Sequence, residues 1–401
     1  MLTQVLPYPL DSGPKFKSYY VLRNLATQHQ LTLVSFIRQN NPEAIAHLSQ
    51  YCQKVLTVEM RRGAWRDGLG LGRSVLAREP LLMARDSRRA MHNLVSSICD
   101  ANQFEVVHAD QLNMAQYAIR VPEAKRVLDA HNALWVVFKR LAENSASGPW
   151  KWILGREWRA LKKYEGDMGK YFDKIVTVSD QDKESFITAG VAAEKLTVIP
   201  IVIDTDEIRE VNRDPDADHI LHIGTMFWPP NVEGIQWFLH EVWPLLHVRH
   251  PDIQFDIVGS KPPKEITRFS LEEHSVNVTG FVEDPEPYLR SAAVMVVPLL
   301  SGGGMRVKIL NALAQKIPII STPIGCEGID VEDGKNIMIA ESPIAFADAV
   351  SHLLKNPAFG KALADNGYDL IKKKYDYRRI QRDLECLYDQ IPSNDGKRHN
   401  E

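Results

Sequence analysis

Short runs of β-branched and other apolar residues alternate with longer amphipathic segments along most of the chain. In the N-terminal half these runs predict seven strands, at Leu2–Val5, Leu31–Phe36, Val55–Met60, Glu105–Ala109, Arg126–Leu128, Lys174–Val178 and Leu196–Ile199. Between most of them the apolar positions recur with helical spacing, as in Phe16–His29. Alternation of strands and helices predicts βαβ units and a parallel sheet.

The alternation restarts after a polar segment, 207–218, that contains three Asp and one Pro. Six further strands are predicted, at Ile220–Ile223, Ile253–Val258, Val276–Thr279, Val294–Val297, Ile319–Ser321 and Ile337–Ile339. Helices are predicted in the same half, at Glu233–His240, Met305–Ala314, Pro343–Leu354 and Pro357–Gln390. The two halves are therefore alike in architecture but not in sequence.

A length of 401 residues is too great for one hydrophobic core and suits two α/β domains. We predict an N-terminal domain at 1–203, a linker at 204–218 and a C-terminal domain at 219–374. Residues 375–391 are predicted to form a helix that crosses back to the N-terminal domain, and 392–401 a flexible tail. Ligands of such sheets bind at the carboxyl ends of the strands, so two facing domains place a nucleotide-sized cleft between them.

Composition and charge narrow the class of protein. The chain is 44% hydrophobic and 25% charged, which argues against disorder, and its net charge of −3 argues against nucleic-acid binding. Two stretches are nevertheless basic: 61–90 holds eight Lys/Arg against three Asp/Glu, and 135–174 holds nine against five. Basic character is thus concentrated in the N-terminal half.

The sequence also predicts a cytoplasmic protein. Its four cysteines are far apart and lack metal-binding spacing, which is typical of reduced thiols. The N-terminus lacks the basic and apolar regions of a signal peptide, and no stretch resembles a membrane-spanning helix.

Two loops of the N-terminal half are candidates for chemistry. Gly13 and a following proline form a turn into a predicted helix, where Lys15 and Lys17 add positive charge. In the second loop, the apolar run 126–128 is followed by Asp129, His131 and Asn132. His131 can donate to a developing oxyanion or a sugar hydroxyl; in the alternative interpretation it is merely satisfied by Asp129.

The strongest candidate follows the apolar run Val294–Val297, where Ser301 and three glycines lead into a predicted helix. Gly302–Gly304 let the backbone approach a ligand closely, and the helix N-terminus supplies N–H donors. Arg306 and Lys308 add two positive charges within the first predicted turn. This combination is suited to a diphosphate.

The geometry of that helix separates the two cations. At about 100° per residue, Lys308 shares a face with Asn311, whereas Arg306 points inward with the apolar stripe. An inward arginine needs an anion, either a phosphate or a structural carboxylate. A further small polar loop, Ser321–Ile329, follows the next strand.

Nine short motifs occur along nearly the whole chain: P-Y-P-L-D-S-G (7–13), D-A-H-N (129–132), Y-E (164–165), T-V-S-D (177–180), V-I-P (198–200), H-I-G-T-M-F-W-P-P-N (222–231), V-G-S (258–260), T-G-F-V (279–282) and S-G-G-G-M-R-V-K-I-L (301–310). In this order the sequence resembles the family-4 retaining glycosyltransferases, which have the two-domain GT-B fold. The resemblance implies a hexosyltransferase that moves a sugar from a nucleotide-diphosphate sugar to an acceptor hydroxyl, with retention at the anomeric carbon. It implies no metal and no further cofactor.

The resemblance also implies roles for individual residues. Those of the reaction itself are His131, Arg306 and Lys308. Those that bind the donor are Gly13, Thr225, Gly259, Phe281, Val282, Gly303, Gly304, Asn311 and Glu327.

Two departures from the family pattern concern the donor. Many relatives have glutamates at the positions of Gly303 and Asn311; a branch of the family has glycine at the first, so the asparagine is the unusual residue. Asn311 can still bind ribose hydroxyls, but more weakly than a carboxylate. Many relatives also clamp phosphate with an Arg and a Lys-Gly, where this chain has Thr225 and Glu233-Gly234.

The resemblance implies that the N-terminal domain meets the acceptor, which we predict to be a glycan or a lipid-linked molecule of polysaccharide synthesis. The basic stretches of that domain are interleaved with aromatic residues: Trp65, Trp135, Trp150, Trp152, Trp158 and Tyr164. This pattern suits peripheral contact with an anionic membrane surface or a lipid-diphosphate acceptor; the alternative is a solvated face with its aromatics in the core. Two other functions remain open, a non-catalytic nucleotide-sugar-binding scaffold and a sugar-nucleotide epimerase.

Overall fold

A computed structural model describes residues 1–10, 13–60, 74, 79–121, 123–145 and 147–391. The predicted tail 392–401, Trp65 and most of the basic stretch 61–90 lie outside the described residues. The chain divides into two compact units. Unit 1 comprises Met1–Val202 and the segment that begins at Arg378, and unit 2 comprises Ile203–Tyr377.

Unit 1 is built on a seven-stranded parallel sheet, in the order β3-β2-β1-β4-β5-β6-β7. The strands are β1 (Leu2–Thr3), β2 (Thr32–Ile37), β3 (Lys54–Glu59), β4 (Val106–Asp110), β5 (Lys125–Asp129), β6 (Lys174–Thr177) and β7 (Leu196–Val198). Its helices are α1 (Gly13–Gln28), α2 (Pro42–Leu48), α3 (Leu81–Asp86), α4 (Arg89–Ala101), α5 (Leu112–Ala118), α6 (Leu134–Asn144), α7 (Pro149–Tyr171) and α8 (Asp180–Ala189). Each predicted strand is present, within three residues at either end.

Unit 2 has a six-stranded parallel sheet, in the order β10-β9-β8-β11-β12-β13. The strands are β8 (His219–Ile223), β9 (Phe255–Val258), β10 (Val276–Gly280), β11 (Ala292–Val297), β12 (Ile319–Ser321) and β13 (Met338–Ile339). Its helices are α9 (Pro229–Trp237), α10 (Trp243–Arg249), α11 (Lys264–Glu272), α12 (Glu286–Ser291), α13 (Val307–Ala314), α14 (Pro343–Lys355) and α15 (Pro357–Leu370). Wider π-helical turns, Phe238–Val242 and Ile371–Tyr375, follow α9 and α15.

The apolar runs form strands because parallel strands are buried on both faces. In β11 all six residues are apolar and five are buried, in the centre of the unit 2 core. Local signals end the helices. Ser179 caps α8 by accepting from the Asp182 N–H at 3.1 Å, and the left-handed Gly190 (φ 104°) stops it.

The segments at the unit boundary have defined places. Residues 204–218, predicted as a linker, belong to unit 2, where Asp214 pairs with Arg290 at 3.1 Å. The last helix, α16 (Tyr377–Asp389), begins where the chain returns to unit 1. Its Tyr388 hydroxyl lies 2.7 Å from His108 Nδ1 in that unit. Within the described residues, no helix has the length and apolar character needed to cross a membrane.

Candidate active site

The Gly-rich loop of unit 2 joins β11 to α13. Gly302 (φ 115°) and Gly304 (φ 73°) have left-handed backbones that a side chain would strain. The helix begins at Val307 rather than at Met305 as predicted, and Arg306 has extended φ and ψ angles of −91° and 98°. Arg306 is therefore the residue before the helix, and its predicted place in the first turn is wrong.

The Arg306 guanidinium folds back onto this loop. Its Nη1 donates to the carbonyl oxygens of Gly303 and Gly304, and its Nη2 lies 3.5 Å from the Ile324 carbonyl oxygen. A Cβ on Gly302 would lie 3.0 Å from the same Nη2, so the glycine leaves room for the guanidinium. The Arg306 guanidinium therefore packs against the backbone of the Gly-rich loop and places a positive charge beside it.

Lys308 lies in the first turn of α13, and its ammonium is held by two neutral groups. Nζ donates to Asn231 Oδ1 at 3.0 Å and lies 3.4 Å from His222 Nε2. Burial, and then the nearby Arg306, lower the pKa of Lys308 to about 7. Loss of solvation and a like charge both disfavour the ammonium, so an anion at this place would be bound favourably.

Asn311, one turn further along α13, has an unsatisfied oxygen. Its Oδ1 is buried and accepts no hydrogen bond from the described residues. A buried acceptor without a donor is costly, and such groups occur where a ligand or an ion completes them. The predicted face shared by Lys308 and Asn311 thus carries a donor and an acceptor.

The remaining predicted donor-binding residues of unit 2 follow the carboxyl ends of its strands. Thr225 lies after β8, and its carbonyl oxygen accepts from Asn231 Nδ2 at 2.9 Å. Gly259 lies directly after β9, and its backbone packs so closely against the Gly224 carbonyl oxygen that a Cβ would lie 1.7 Å from it. Phe281, which is 76% exposed, and Val282 follow β10, and Glu327 lies in the loop after β12. All of them lie at one edge of the sheet, as its parallel topology requires.

In unit 1 the candidate residues meet where β4 and β5 end side by side. Asp110 and Asp129 are partners in the register of these strands, and both are fully buried. Asp110 accepts from His131 Nε2 at 2.9 Å and from Ser18 Oγ at 2.8 Å. Burial alone would raise the pKa of Asp110, but His131 and these hydrogen bonds outweigh it, and the pKa is lowered.

Asp129 does not bind His131, so that alternative interpretation is wrong. It forms a buried ion pair with Lys17, and its second oxygen lies 3.8 Å from His108 Nε2. Burial is the main cause that lowers the pKa of His108 to about 4. Lys17 therefore neutralises Asp129 and does not supply the extra positive charge predicted after Gly13, the first residue of α1.

Two buried carboxyl groups hold the backbone that follows His131. Asp182 Oδ1 accepts from the Ala133 N–H at 2.9 Å, and Glu165 Oε1 accepts from the Leu134 N–H at 2.7 Å. Burial raises the pKa of Glu165 well above its usual range. These contacts give the sequence motif Y-E a physical role, because its glutamate holds the start of α6.

Comparison with known proteins identifies the family. Residues 18–207 match the family model Glycosyltransferase Family 4, and residues 217–356 match the model Glycosyl transferases group 1. The chain belongs to the family-4 glycosyltransferases. The resemblance stated from the motifs is confirmed.

Relatives of this glycosyltransferase cover nearly its whole length. A Klebsiella pneumoniae protein described as an uncharacterized 44.6 kDa protein in cps region is 25% identical over an alignment of 391 positions, which covers 93% of this chain and 95% of the relative. Sucrose-phosphate synthase from Thermosynechococcus elongatus has a TM-score of 0.72 at 15% identity, covering 97% of this chain and 98% of its own. Anabaena HepE, solved with UDP and glucose, has a TM-score of 0.69 at 12% identity, covering 97% and 99%. The solved structures confirm the predicted GT-B fold.

One departure of this glycosyltransferase from its family has a visible structural consequence. Glu233, at the position where the family resemblance implied a lysine, accepts from Ser301 Oγ at 2.5 Å and so ties α9 to the Gly-rich loop. The adjacent Gly234 is required because a Cβ would lie 2.3 Å from the Pro298 carbonyl oxygen. The position at which the resemblance implied a phosphate contact here holds the loop.

Sequence reasoning missed two residues of the glycosyltransferase site, Asp110 and Asn231. Asp110 ends an apolar strand, as Asp129 does, and the same signal could have found it. Asn231 ends the motif 222–231, but nothing local indicates its contact with Lys308, which spans 77 residues of sequence.

Proposed function

We propose that this chain transfers a hexose from a nucleoside-diphosphate sugar to a hydroxyl group of a glycan or lipid-linked acceptor, with retention at the anomeric carbon. The observation that carries the proposal is the pair of cations at the start of α13. The pKa of Lys308 is lowered by burial and by Arg306, at the strand edge where such sheets bind ligands. A bound diphosphate would offset both the loss of solvation of Lys308 and its repulsion by Arg306.

The same pair supports a reaction without a metal ion. As the sugar leaves, negative charge develops on the diphosphate, and fixed positive groups stabilise it. Arg306 and Lys308 would take this role, with Gly303 and Gly304 allowing close approach and Asn311 Oδ1 accepting from ribose. His131, oriented by Asp110 at 2.9 Å, would donate to the transferring sugar.

The relatives support a place in polysaccharide synthesis. The Klebsiella relative is described by its cps region, and Anabaena HepE was solved with UDP-glucose as well as with UDP and glucose. We therefore propose a uridine nucleotide sugar as the first donor to test and a cytoplasmic site of action.

A surface of unit 1 supports peripheral contact with an anionic membrane. At the start of α7, Trp150 and Trp152 are 64% and 72% exposed, and the lysine between them is also exposed. Two of the three carboxyl groups of this helix, Glu157 and Glu165, are buried against backbone N–H groups and do not offset the exposed cations. Exposed tryptophans beside positive charge suit the headgroup region.

The membrane proposal is tested by sedimentation with vesicles. The protein should pellet with phosphatidylglycerol vesicles at low salt and be released at high salt. Trp150→Ala with Trp152→Ala should lose this binding, whereas Tyr171→Ala, at the other end of the helix, should keep it. Equal binding by both variants would contradict the assignment.

The donor proposal is tested by thermal shift against UDP, ADP, GDP and their sugars. A ligand at a hundredfold excess over its Kd adds about 2.7 kcal/mol of stability. Arg306→Ala and Lys308→Ala should each weaken binding by about tenfold or more, because a charge-assisted hydrogen bond contributes about 1.5–3 kcal/mol. Lys264→Ala, at an exposed site on α11, is the matched control. Unchanged affinity in both variants would refute the assignment, and binding without transfer or donor hydrolysis would favour the scaffold.

A further inference from the structure

The ammonium of Lys308 lies in a cradle made by two other elements. Asn231, on α9, offers Oδ1 at 3.0 Å, and His222, on β8, offers Nε2 at 3.4 Å. Both side chains are buried, with exposed fractions of 5% and 0%. Among the described residues, no carboxyl group forms an ion pair with Lys308. The cradle therefore orients the ammonium without neutralising it.

The orientation of both cradle residues is fixed by the backbone. His222 Nδ1 lies 2.9 Å from the Val296 carbonyl oxygen, which can only accept, so Nδ1 carries the proton and Nε2 is an acceptor. Asn231 Nδ2 donates to the Thr225 carbonyl oxygen at 2.9 Å, which turns Oδ1 toward Lys308. Each residue can thus only accept from the lysine.

Gly224 makes room for this arrangement. A Cβ at this position would lie 2.6 Å from Lys308 Nζ and 3.0 Å from both Asn231 Nδ2 and His222 Nε2. The end of β8 therefore brings backbone against the ammonium and removes water from that side.

We propose that Asn231 and His222 are positioning residues that hold Lys308 for a nucleoside-diphosphate sugar, and that binding of this donor takes up a proton at Lys308. The inference rests on the proposed function and adds to it two positioning residues and a proton uptake that can be measured when the donor binds.

The charges around Lys308 explain the proton. Burial, and then Arg306 on the same segment, lower the pKa of Lys308 to about 7. Burial, and then Lys308, lower the pKa of His222 well below its usual range. Glu233, next to Asn231 on α9, is tied to Ser301. A bound diphosphate adds negative charge beside the ammonium and raises the pKa of Lys308. Lys308 is thus largely neutral at pH 8 without donor and charged with it.

Proton uptake is measured by calorimetry of UDP-glucose, ADP-glucose and GDP-mannose binding in buffers that differ in ionisation enthalpy. Nucleotide sugars are chosen because their diphosphate does not itself titrate near neutrality. A group with a pKa of about 7 should take up roughly 0.9 proton at pH 8 and roughly 0.1 at pH 6. Affinity should fall up to about tenfold per pH unit above pH 7.

Three variants separate a positioning role from a merely structural one. Asn231→Asp gives Lys308 a permanent counter-charge, so uptake at pH 8 should fall to near zero. Lys308→Arg remains charged at every pH, so it should bind without uptake and without the affinity loss above pH 7. Asn231→Leu should lose about tenfold in affinity at pH 8. Lys264→Met, at the exposed control site, should keep the wild-type uptake.

The outcomes distinguish this inference from the proposed function. If none of the three nucleotide sugars binds at either pH, the proposed function is wrong and the inference is wrong with it. If one binds with near-zero uptake at pH 8, only the inference is overturned. Uptake that persists in Asn231→Asp or Lys308→Arg would place the proton on another group and equally overturn it.

Discussion

The pair formed by His131 and Asp110 gives the sharpest prediction for the reaction. The change is Asp110→Asn, which preserves shape and removes one charge. Asparagine offers one oxygen and one NH₂ group, so if the oxygen keeps Ser18 Oγ, the NH₂ group faces His131 Nε2. An NH₂ group opposite Nε2 excludes a proton there, so the ring loses the form with protons on both nitrogens, which alone can donate to residue 110 and to the sugar together.

The magnitude follows from the contact that is lost. A charge-assisted hydrogen bond contributes about 1.5–3 kcal/mol and a neutral one about 1 kcal/mol. The loss of about 1–2 kcal/mol corresponds to roughly a five- to thirtyfold fall in kcat, if His131 acts on the transferring sugar. Affinity for the free nucleotide should be unchanged, because its proposed contacts are in unit 2.

The fold should survive this change, and the pH dependence of its stability provides a control. The pKa of Asp110 is lowered in the folded protein. Its ionised form therefore stabilises the fold above the unfolded pKa of about 3.9, and this stabilisation is lost as the pH falls through the lower, folded pKa. Asp110→Asn should remove that contribution, and a loss of about 1 kcal/mol at neutral pH lowers Tm by about 2–4 °C.

The assay compares turnover and nucleotide affinity in a double-mutant cycle with His131→Ala. If Asp110 acts through His131, Asp110→Asn should have little further effect on kcat in the His131→Ala protein. Wild-type turnover in Asp110→Asn would refute the reasoning. Equal, additive losses in both backgrounds would show that Asp110 does not act through His131.

Three further predictions concern donor binding and stability. Gly224→Ala should weaken nucleotide binding by about tenfold or more, since its Cβ would lie 2.6 Å from Lys308 Nζ; calorimetry measures this, and wild-type affinity would show that the ammonium has room to move. Asn311→Glu should tighten donor binding about five- to tenfold, because a carboxylate accepts more strongly than the present unsatisfied amide; weaker binding would mean that residue 311 does not contact ribose. Glu165→Gln should flatten the decline in stability as the pH rises above the unfolded pKa of about 4.3. The pKa of Glu165 is raised in the fold, so its stabilising neutral form is lost as the pH rises above the unfolded pKa. Urea unfolding measures the free energy of unfolding of both proteins, and an equal dependence of that free energy on pH would contradict this prediction.

The strands and the family could be predicted from the sequence because both depend on local pattern. An apolar run of four to six residues, such as Val294–Val297, is recognisable wherever it pairs, and parallel topology then places the loops after β8 to β12 at one edge. Glycines before a helix indicate an anion site for an equally local reason, which is backbone geometry. The order of the motifs along the chain was sufficient to identify the family.

Helix ends and side-chain partners were decided by the tertiary structure. Arg306 was expected inside α13, but its guanidinium donates to the carbonyl oxygens of Gly303 and Gly304, and the helix starts at Val307, two residues later than predicted. From sequence, Lys17 was assigned to the turn after Gly13, and Asp129 was the partner considered for His131. In the fold, Lys17 meets Asp129 across 112 residues and His131 meets Asp110 across 21. An unpaired buried charge is costly, and the opposite charge that lies nearest in space is set by strand order, which is not encoded in any local pattern.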